Sequence, residues 1–216
     1  MTEHVFEPMR RAMVASQLRT TGVSDPRVIA AMGEVARERF VPEERAALAY
    51  ADALVPLGGG RALNPPMALG RMLTEAQLKG DERALVVGAA TGYSAALLAR
   101  LAGSVVALEE DDALAAFAKK ALAGTGAIVA RGALAKGHAK GAPYDFILID
   151  GAVEHLPRAI VDQAADGARI SLALLDRGVT RLAVGRVAAG AFGVTIYADA
   201  EAAVLPGFEK PRGFTF

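Results

Sequence analysis

Five residues in the middle of the chain have the types and order of a nucleoside-binding site. Gly88, Ala90, Gly92 and Tyr93 lie in Val87-Gly88-Ala89-Ala90-Thr91-Gly92-Tyr93, directly after the apolar run Ala84-Leu85-Val86-Val87. Glycine at such a place lets the chain turn sharply and lets a ligand approach the backbone. Glu109 follows about 20 residues later, where an acid at the end of the next strand accepts hydrogen bonds from ribose hydroxyls. Glu110 stands beside it as a fallback. The loop lacks the third spaced glycine of a dinucleotide fingerprint and the Lys-Ser/Thr pair of a P-loop. A nucleoside without a phosphate needs neither device. The same residues also read as an ordinary turn between strand and helix, with Glu109 as an acid opening a helix.

A second group lies upstream. Gly60, Arg61 and Asn64 fall in Pro56–Asn64, read as a glycine-rich loop. The Asn64 amide can donate to an anion. Followed by Pro65-Pro66, it equally reads as a helix N-cap with proline in the first turn. Arg61 can pair with a carboxylate in bidentate fashion, or stand solvated in the loop. Asp150 ends the apolar run Tyr144–Ile149. It can accept from a ligand's ammonium, hold a metal with another carboxylate, or serve as an Asp-Gly turn residue. His155 follows in a loop, where a histidine is more often exposed than catalytic.

The elements that must position these residues change texture near residue 80. Before it the pattern is helical: Met9, Met13 and Gln17 share a face, and Asp25-Pro26 caps a helix carrying Val28, Ile29 and Met32. A short helix starts at Val41–Glu44, and another continues from Asn64-Pro65 through Met67, Leu69, Met72, Leu73 and Ala76. Beyond residue 80, short apolar runs alternate with helices at 93–102, from Asp111 or Asp112 to Ala123, and at Pro157–Ala164. The runs are Ala84–Val87, Ser104–Leu108, Ala127–Ala130, Tyr144–Ile149 and Ala168–Leu174. Near-continuous apolar strands alternating with helices give an α/β fold with a parallel sheet covered on both faces. The strand-rich tail closes it by antiparallel pairing. Residues 1–80 read as a helical cap with the glycine loop, and 81–216 as the sheet domain, the two forming one compact unit.

Composition narrows the function classes. The chain has 216 residues, 53% of them apolar, with 24 Lys+Arg against 24 Asp+Glu and no cysteine. An apolar fraction of that size excludes intrinsic disorder. Balanced charge gives no footprint for nucleic acid. Without cysteine there is no disulfide framework, thiolate nucleophile or Cys-ligated zinc, and no metal is expected. No apolar stretch reads as a signal core or membrane span, so a soluble cytoplasmic protein is expected, its oligomeric state left open.

The words of the N-terminal half stand in a characteristic order. They run Met13-Val14, Gln17-Leu18, Gly22-Val23, Asp25, Arg27-Val28, Ala31-Met32, Arg37-Glu38, Phe40-Val41-Pro42, Ala49-Tyr50, Asp52 and Pro56-Leu57-Gly58. With Leu85–Tyr93, Val105–Glu109 and Pro143–Ile149, they resemble the protein-L-isoaspartate O-methyltransferase family over roughly residues 9 to 171. The resemblance implies a class I, Rossmann-like methyltransferase fold with an N-terminal helical extension, a mostly parallel sheet and an antiparallel C-terminal strand. It implies S-adenosyl-L-methionine as cofactor, with Gly88, Ala90, Gly92, Tyr93 and Glu109 lining its site and Asp150 beside them. It further implies a damaged protein or peptide carrying isoaspartate as partner. Its α-carboxylate would be methylated, and the ester would then collapse to a succinimide.

The family's loop reads Gly-Gln-Thr-Ile-Ser-any-Pro; here it is Gly60-Arg61-Ala62-Leu63-Asn64-Pro65-Pro66. Asn64 therefore takes the place of the serine credited with contacting substrate, and Gly60 and Arg61 would lie on the substrate side. Val86 stands for the usual acid before the first motif glycine, and Ala133 for the acid after strand three. The departures leave a second reading, a divergent cofactor-binding protein that has lost catalysis or takes another methyl acceptor.

Overall fold

The structure, a computed structural model, describes residues 3–210, without the side chains of residues 3 and 4. Helix α1 (Glu3–Ala12) runs directly into π-helical turns over Met13–Leu18. Asp25 opens α2 (Pro26–Glu34) as read, its carboxylate accepting the Arg27 amide at 2.8 Å. Short 3-10 turns over Arg37–Phe40 and Glu43–Leu48 lead to a hairpin, β1 (Val55–Gly58) and β2 (Arg61–Leu63), and then to α3 (Pro66–Ala76). The alternating part follows as β3 (Arg83–Val87), α4 (Tyr93–Leu98), β4 (Ser104–Glu109), α5 (Asp112–Ala121), β5 (Ile128–Arg131) and β6 (Tyr144–Val153). It ends with α6 (Arg158–Val161), β7 (Ala164–Asp176), β8 (Val179–Ala188) and β9 (Ala191–Asp199).

Seven strands form one sheet in the order β5-β4-β3-β6-β7-β8-β9. Strands β3 to β7 run parallel, and β8 and β9 close the sheet as an antiparallel meander. The closing strands are thus two, not one. The central strands are apolar on both faces because both faces are covered. Ala84 and Val86 join one core with α3, α4 and the N-terminal helices, while Leu85 and Val87 join the other with Ile160 and Phe208. Each large apolar side chain so buried contributes roughly 1.5–3 kcal/mol. After β3 the chain moves outward to β4 and β5, then returns to place β6 on the other side of β3. That reversal creates the crevice where open α/β sheets bind ligands.

Several expectations are corrected. The glycine-rich loop at 56–64 is a hairpin. Gly58, Gly59 and Gly60 take φ of +94°, +57° and +75°, so three successive residues turn in a region that only glycine enters freely. Asn64 is not an N-cap: α3 is preceded by Pro65 with no side-chain cap, and Asn64 turns inward. Asp150-Gly151 is not a turn either. Strand β6 runs on to Val153 because the C-terminal segment lies beside it, with Ala152 N donating to Ala203 O at 2.7 Å and Leu205 N to Ala152 O at 2.9 Å. A Cβ on Gly151 would fall 2.4 Å from Ala203 O, so glycine is required there for that close approach. The helix expected at 157–164 shrinks to α6, because β7 already begins at Ala164. Residues 211–216, the end of the strand-rich tail, lie outside the described residues.

Candidate active site

The motif loop leaves β3 at the crevice. Gly88 N and Ala89 N both donate to Leu108 O at 3.0 Å, which pulls the turn against the end of β4. Gly88, Ala90 and Gly92 have φ of +81°, +49° and +99°. For Ala90 this conformation costs about 1 kcal/mol, and its amide is fixed by a 2.7 Å bond to Glu109 Oε2. Gly92 allows close packing on α5, since a Cβ there would meet Leu122 at 2.9 Å. Tyr93 is fully buried rather than facing the crevice. Its ring lies 4.6 Å beneath the Arg37 guanidinium and edge-on to Phe40 at 5.6 Å. Its hydroxyl has no hydrogen-bond partner among the described residues.

Glu109 ends β4 with 0% of its surface exposed. Oε1 accepts from Glu110 N at 2.9 Å and Asp111 N at 3.1 Å, while Oε2 accepts the Ala90 amide. Both oxygens also accept Arg61, Nη1 at 2.6 Å and Nη2 at 3.0 Å. Arg61 comes from β2 and is only 6% exposed; it also donates to Gly88 O at 3.3 Å. The alternation of the strand explains its direction: Arg61 and Leu63 point inward and Ala62 lies between them.

Asn64 and Asp150 meet below the hairpin. Asn64 Nδ2 donates to Asp150 Oδ1 at 2.7 Å, and Asn64 Oδ1 accepts Ala203 N at 2.8 Å. Burial pushes the Asp150 carboxyl up, while Ser94 and Asn64 beside it and the guanidiniums of Arg37 and Arg61 pull it partway back. Arg37 is fully buried, donating Nε to Ala49 O at 2.6 Å and Nη2 to Asn64 O at 2.7 Å; its Nη1 has no partner among the described residues. Gly60 is exposed in the hairpin turn, where a Cβ would meet nothing within 4 Å. His155 is 3.0 Å from Phe208 O through Nδ1 and so steadies the C-terminal segment.

Arg37 and Leu205 also belong to the site, both buried. Nothing in the order of residues marks Leu205, yet a Cβ on Gly88 would fall 2.9 Å from its side chain. Arg37 opens Arg37-Glu38, one of the words of the resemblance, where nothing local marks it for burial beneath the site. Among the described residues no group of three or more His, Asp or Glu is placed to hold a metal, and no helix is long and apolar enough to cross a membrane.

Comparison with known proteins gives the family. The model of the protein-L-isoaspartate (D-aspartate) O-methyltransferase family matches residues 9–184. A Rhodopseudomonas palustris relative, protein-L-isoaspartate O-methyltransferase 1, is 41% identical over 181 residues, covering 82% of this chain and 74% of its own. The chain belongs to the protein-L-isoaspartate O-methyltransferase family. A Methylorubrum populi enzyme of the same name is also 41% identical, covering 74% of this chain and 77% of its own. A solved Plasmodium falciparum structure of that description, in complex with S-adenosyl-L-homocysteine, superposes with a TM-score of 0.77 over 92% of this chain and 97% of its own. At 17% identity that likeness speaks for the fold. As a member of the family, this chain is a class I methyltransferase fold whose sheet carries antiparallel strands at its C-terminal end. At its carboxyl edge the positive-φ Gly88 and Gly92, the Ala90 amide and the acid that ends β4 come together. Residues of these types would suit an adenosyl group. The space in front of them is taken by Arg61 and Leu205.

Proposed function

We propose that this chain is an S-adenosyl-L-methionine-dependent carboxyl methyltransferase that acts on the α-carboxylate of isoaspartyl residues in damaged proteins. The observation that carries this reading is the convergence of Gly88, Ala90 and Glu109 at the β3–β6 crevice in a chain whose family match spans residues 9–184. The cofactor, when bound, supplies an electrophilic methyl group.

The acceptor is a carboxylate, already ionised at neutral pH, so the reaction needs no general base. The protein's task is alignment and exclusion of water, and orientation alone supplies roughly 7–11 kcal/mol in the best intramolecular cases. That demand matches what the site contains. Neither His155 nor Asp150 is placed as a solvent-facing base: the first is bonded to Phe208 O and the second is buried against Asn64. Gly88, Ala90, Gly92 and Glu109 would hold the adenosyl group. Gly60 stands in the exposed hairpin turn, on the side open to a macromolecule. Asn64 occupies the serine's place in the family loop, but both ends of its amide are engaged. In this reading it positions the hairpin against Asp150 and Ala203 and does not touch the substrate.

The test is methyl transfer from radiolabelled S-adenosyl-L-methionine to a peptide containing one isoaspartate, with the aspartate peptide as control. Cofactor is raised until its binding is detected independently. Label that enters the isoaspartyl peptide alone, and leaves as methanol in mild base, is the expected result. Bound cofactor without transfer would instead favour a cofactor-binding protein that has lost catalysis.

A further inference from the structure

In this structure the acid meant for a ribose already has a partner. Arg61 presents two parallel N–H groups to the two oxygens of Glu109, at 2.6 and 3.0 Å. A ribose offers the same carboxylate two hydroxyls, also side by side, but without charge. The guanidinium fork is the stronger donor of the two because its hydrogen bonds are charge-assisted. Glu109 has no spare capacity, since its remaining acceptor sites are filled by the amides of Ala90, Glu110 and Asp111.

The second obstruction is Leu205. Its methyl carbons lie 2.9 and 3.0 Å from where a Cβ on Gly88 would be, and Arg61 Nη2 lies 3.4 Å from the same point. Gly88 is where a ligand would approach the backbone, and both side chains cover it. Leu205 is held by the ladder from Ala203 to Ala152 and, through Ala203 N, by Asn64.

We propose that Arg61 is an internal competitor for the cofactor: it binds Glu109 in place of a ribose diol, with Leu205 seated on Gly88, and so sets the affinity for any adenosyl ligand. The proposal rests on the reading above, in which Glu109 grips the ribose. Entry of the ligand requires Arg61 to leave Glu109, which strands a buried cation until it finds another partner. The residue therefore weakens binding selectively for ligands that carry the diol. It acts on affinity and takes no part in the chemistry.

The experiment is isothermal titration of the purified full chain and its Arg61→Gln variant with three probes: S-adenosyl-L-homocysteine, adenosine and 2′,3′-dideoxyadenosine. Arg61→Met serves as a second neutral variant should the first fold poorly, and cooperative melting is checked for each. The expected result is at least 30-fold tighter binding of S-adenosyl-L-homocysteine by the variant. Adenosine should gain by a similar factor and the dideoxynucleoside by less than threefold. Equal affinity of wild type and variant for S-adenosyl-L-homocysteine would overturn the competitor while leaving the methyltransferase reading intact. Equal gains for all three probes would also overturn it, because the effect would then not lie at the diol. If neither wild type nor neutral variants bind any probe, Arg61 is not what excludes the cofactor and the methyltransferase reading falls with it.

Discussion

Two arginine–glutamate pairs, one buried and one largely buried, sit at opposite edges of the sheet. At the amino edge, Arg169 of β7 reaches Glu82 at 2.5 Å, just before β3 begins. At the carboxyl edge, Arg61 of β2 reaches Glu109 at 2.6 Å, where β4 ends. The chemistry of the two pairs is the same, yet their surroundings differ. Arg169 also donates to the carbonyls of Ala76 and Gln77, the last groups of α3, so one guanidinium joins a helix end to the sheet. Arg61 spends its fork on Glu109 and has a single carbonyl contact, to Gly88 O at 3.3 Å. Glu82 takes two loop amides, from Lys79 and Gly80, whereas Glu109 takes three. The first arginine is held by the chain, and the second is the one its carboxylate can do without. An ion pair is structural where its members have carbonyls and amides that nothing else can serve. It is exchangeable where the carboxylate is held by backbone alone.

The largest effect is expected from breaking the amino-edge pair. Arg169→Gln leaves Glu82 with two amide donors and frees the carbonyls of α3. A stability loss of about 3 kcal/mol follows for a largely buried pair broken on one side, or roughly a 10 °C fall in melting temperature for a chain of this size. Affinity for S-adenosyl-L-homocysteine should stay as in wild type. A melting temperature within two degrees of wild type would remove the structural role.

Next is Asn64→Ala. The substitution strands the Ala203 amide and takes one donor from Asp150, for about 2 kcal/mol. Hydrogen exchange at Ala203 should speed up, while the start of α3, which Asn64 does not cap, should exchange as before. The opposite pattern would restore the cap.

The two edges should also differ in the sign of their pH dependence. Burial alone would raise the Glu82 carboxyl, but the amides of Lys79 and Gly80 and the Arg169 guanidinium outweigh it and hold it low. Its contribution to stability is therefore present above the ordinary carboxylate range and is lost as pH falls through the native value. Asp150 is the reverse: burial raises it and outweighs the downward pull of Ser94, Asn64, Arg37 and Arg61. The native state then holds that proton more tightly than the unfolded chain, so stability declines as pH rises from about 4 toward the raised value. Urea midpoints across that range should lose the decline in Asp150→Asn and keep it in Glu82→Gln. A decline that survives in Asp150→Asn would assign it to another group.

Much of the fold was legible because its signals are local. The alternation of apolar runs with helices gave the parallel sheet, and the spacing from Gly88 to Glu109 placed an acid beside the motif loop. What escaped depends on contacts distant in sequence. The hairpin passed for a loop because its strands are of four and three residues around three glycines. The turn stays among the readings of Asp150-Gly151 because the partner that extends the strand, Ala203 to Leu205, is distant in sequence and lies in a segment with no motif. Arg61 alone carried a usable signal: as part of Arg61-Ala62-Leu63 it shares a face with a leucine, and that alternation predicts burial once the segment is read as a strand.

The smallest change in stability is expected from Arg61→Gln, and there the comparison is decided. Glutamine keeps an amide that can donate to Glu109. The carboxylate retains the amides of Ala90, Glu110 and Asp111, and such backbone donors hold an ionised carboxylate without a countercharge. Breaking a buried pair on one side ordinarily costs about 3–5 kcal/mol, and here the three amides that stay on the carboxylate, together with the guanidinium desolvation no longer incurred, offset part of that cost. The net change should therefore lie below the roughly 3 kcal/mol expected of Arg169→Gln, read as a smaller fall in melting temperature. A fall as large as that of Arg169→Gln would mean that both arginines are structural and that the carboxyl edge is closed permanently. A smaller fall together with tightened ligand binding would mean that the same pair does opposite work at the two ends of one sheet.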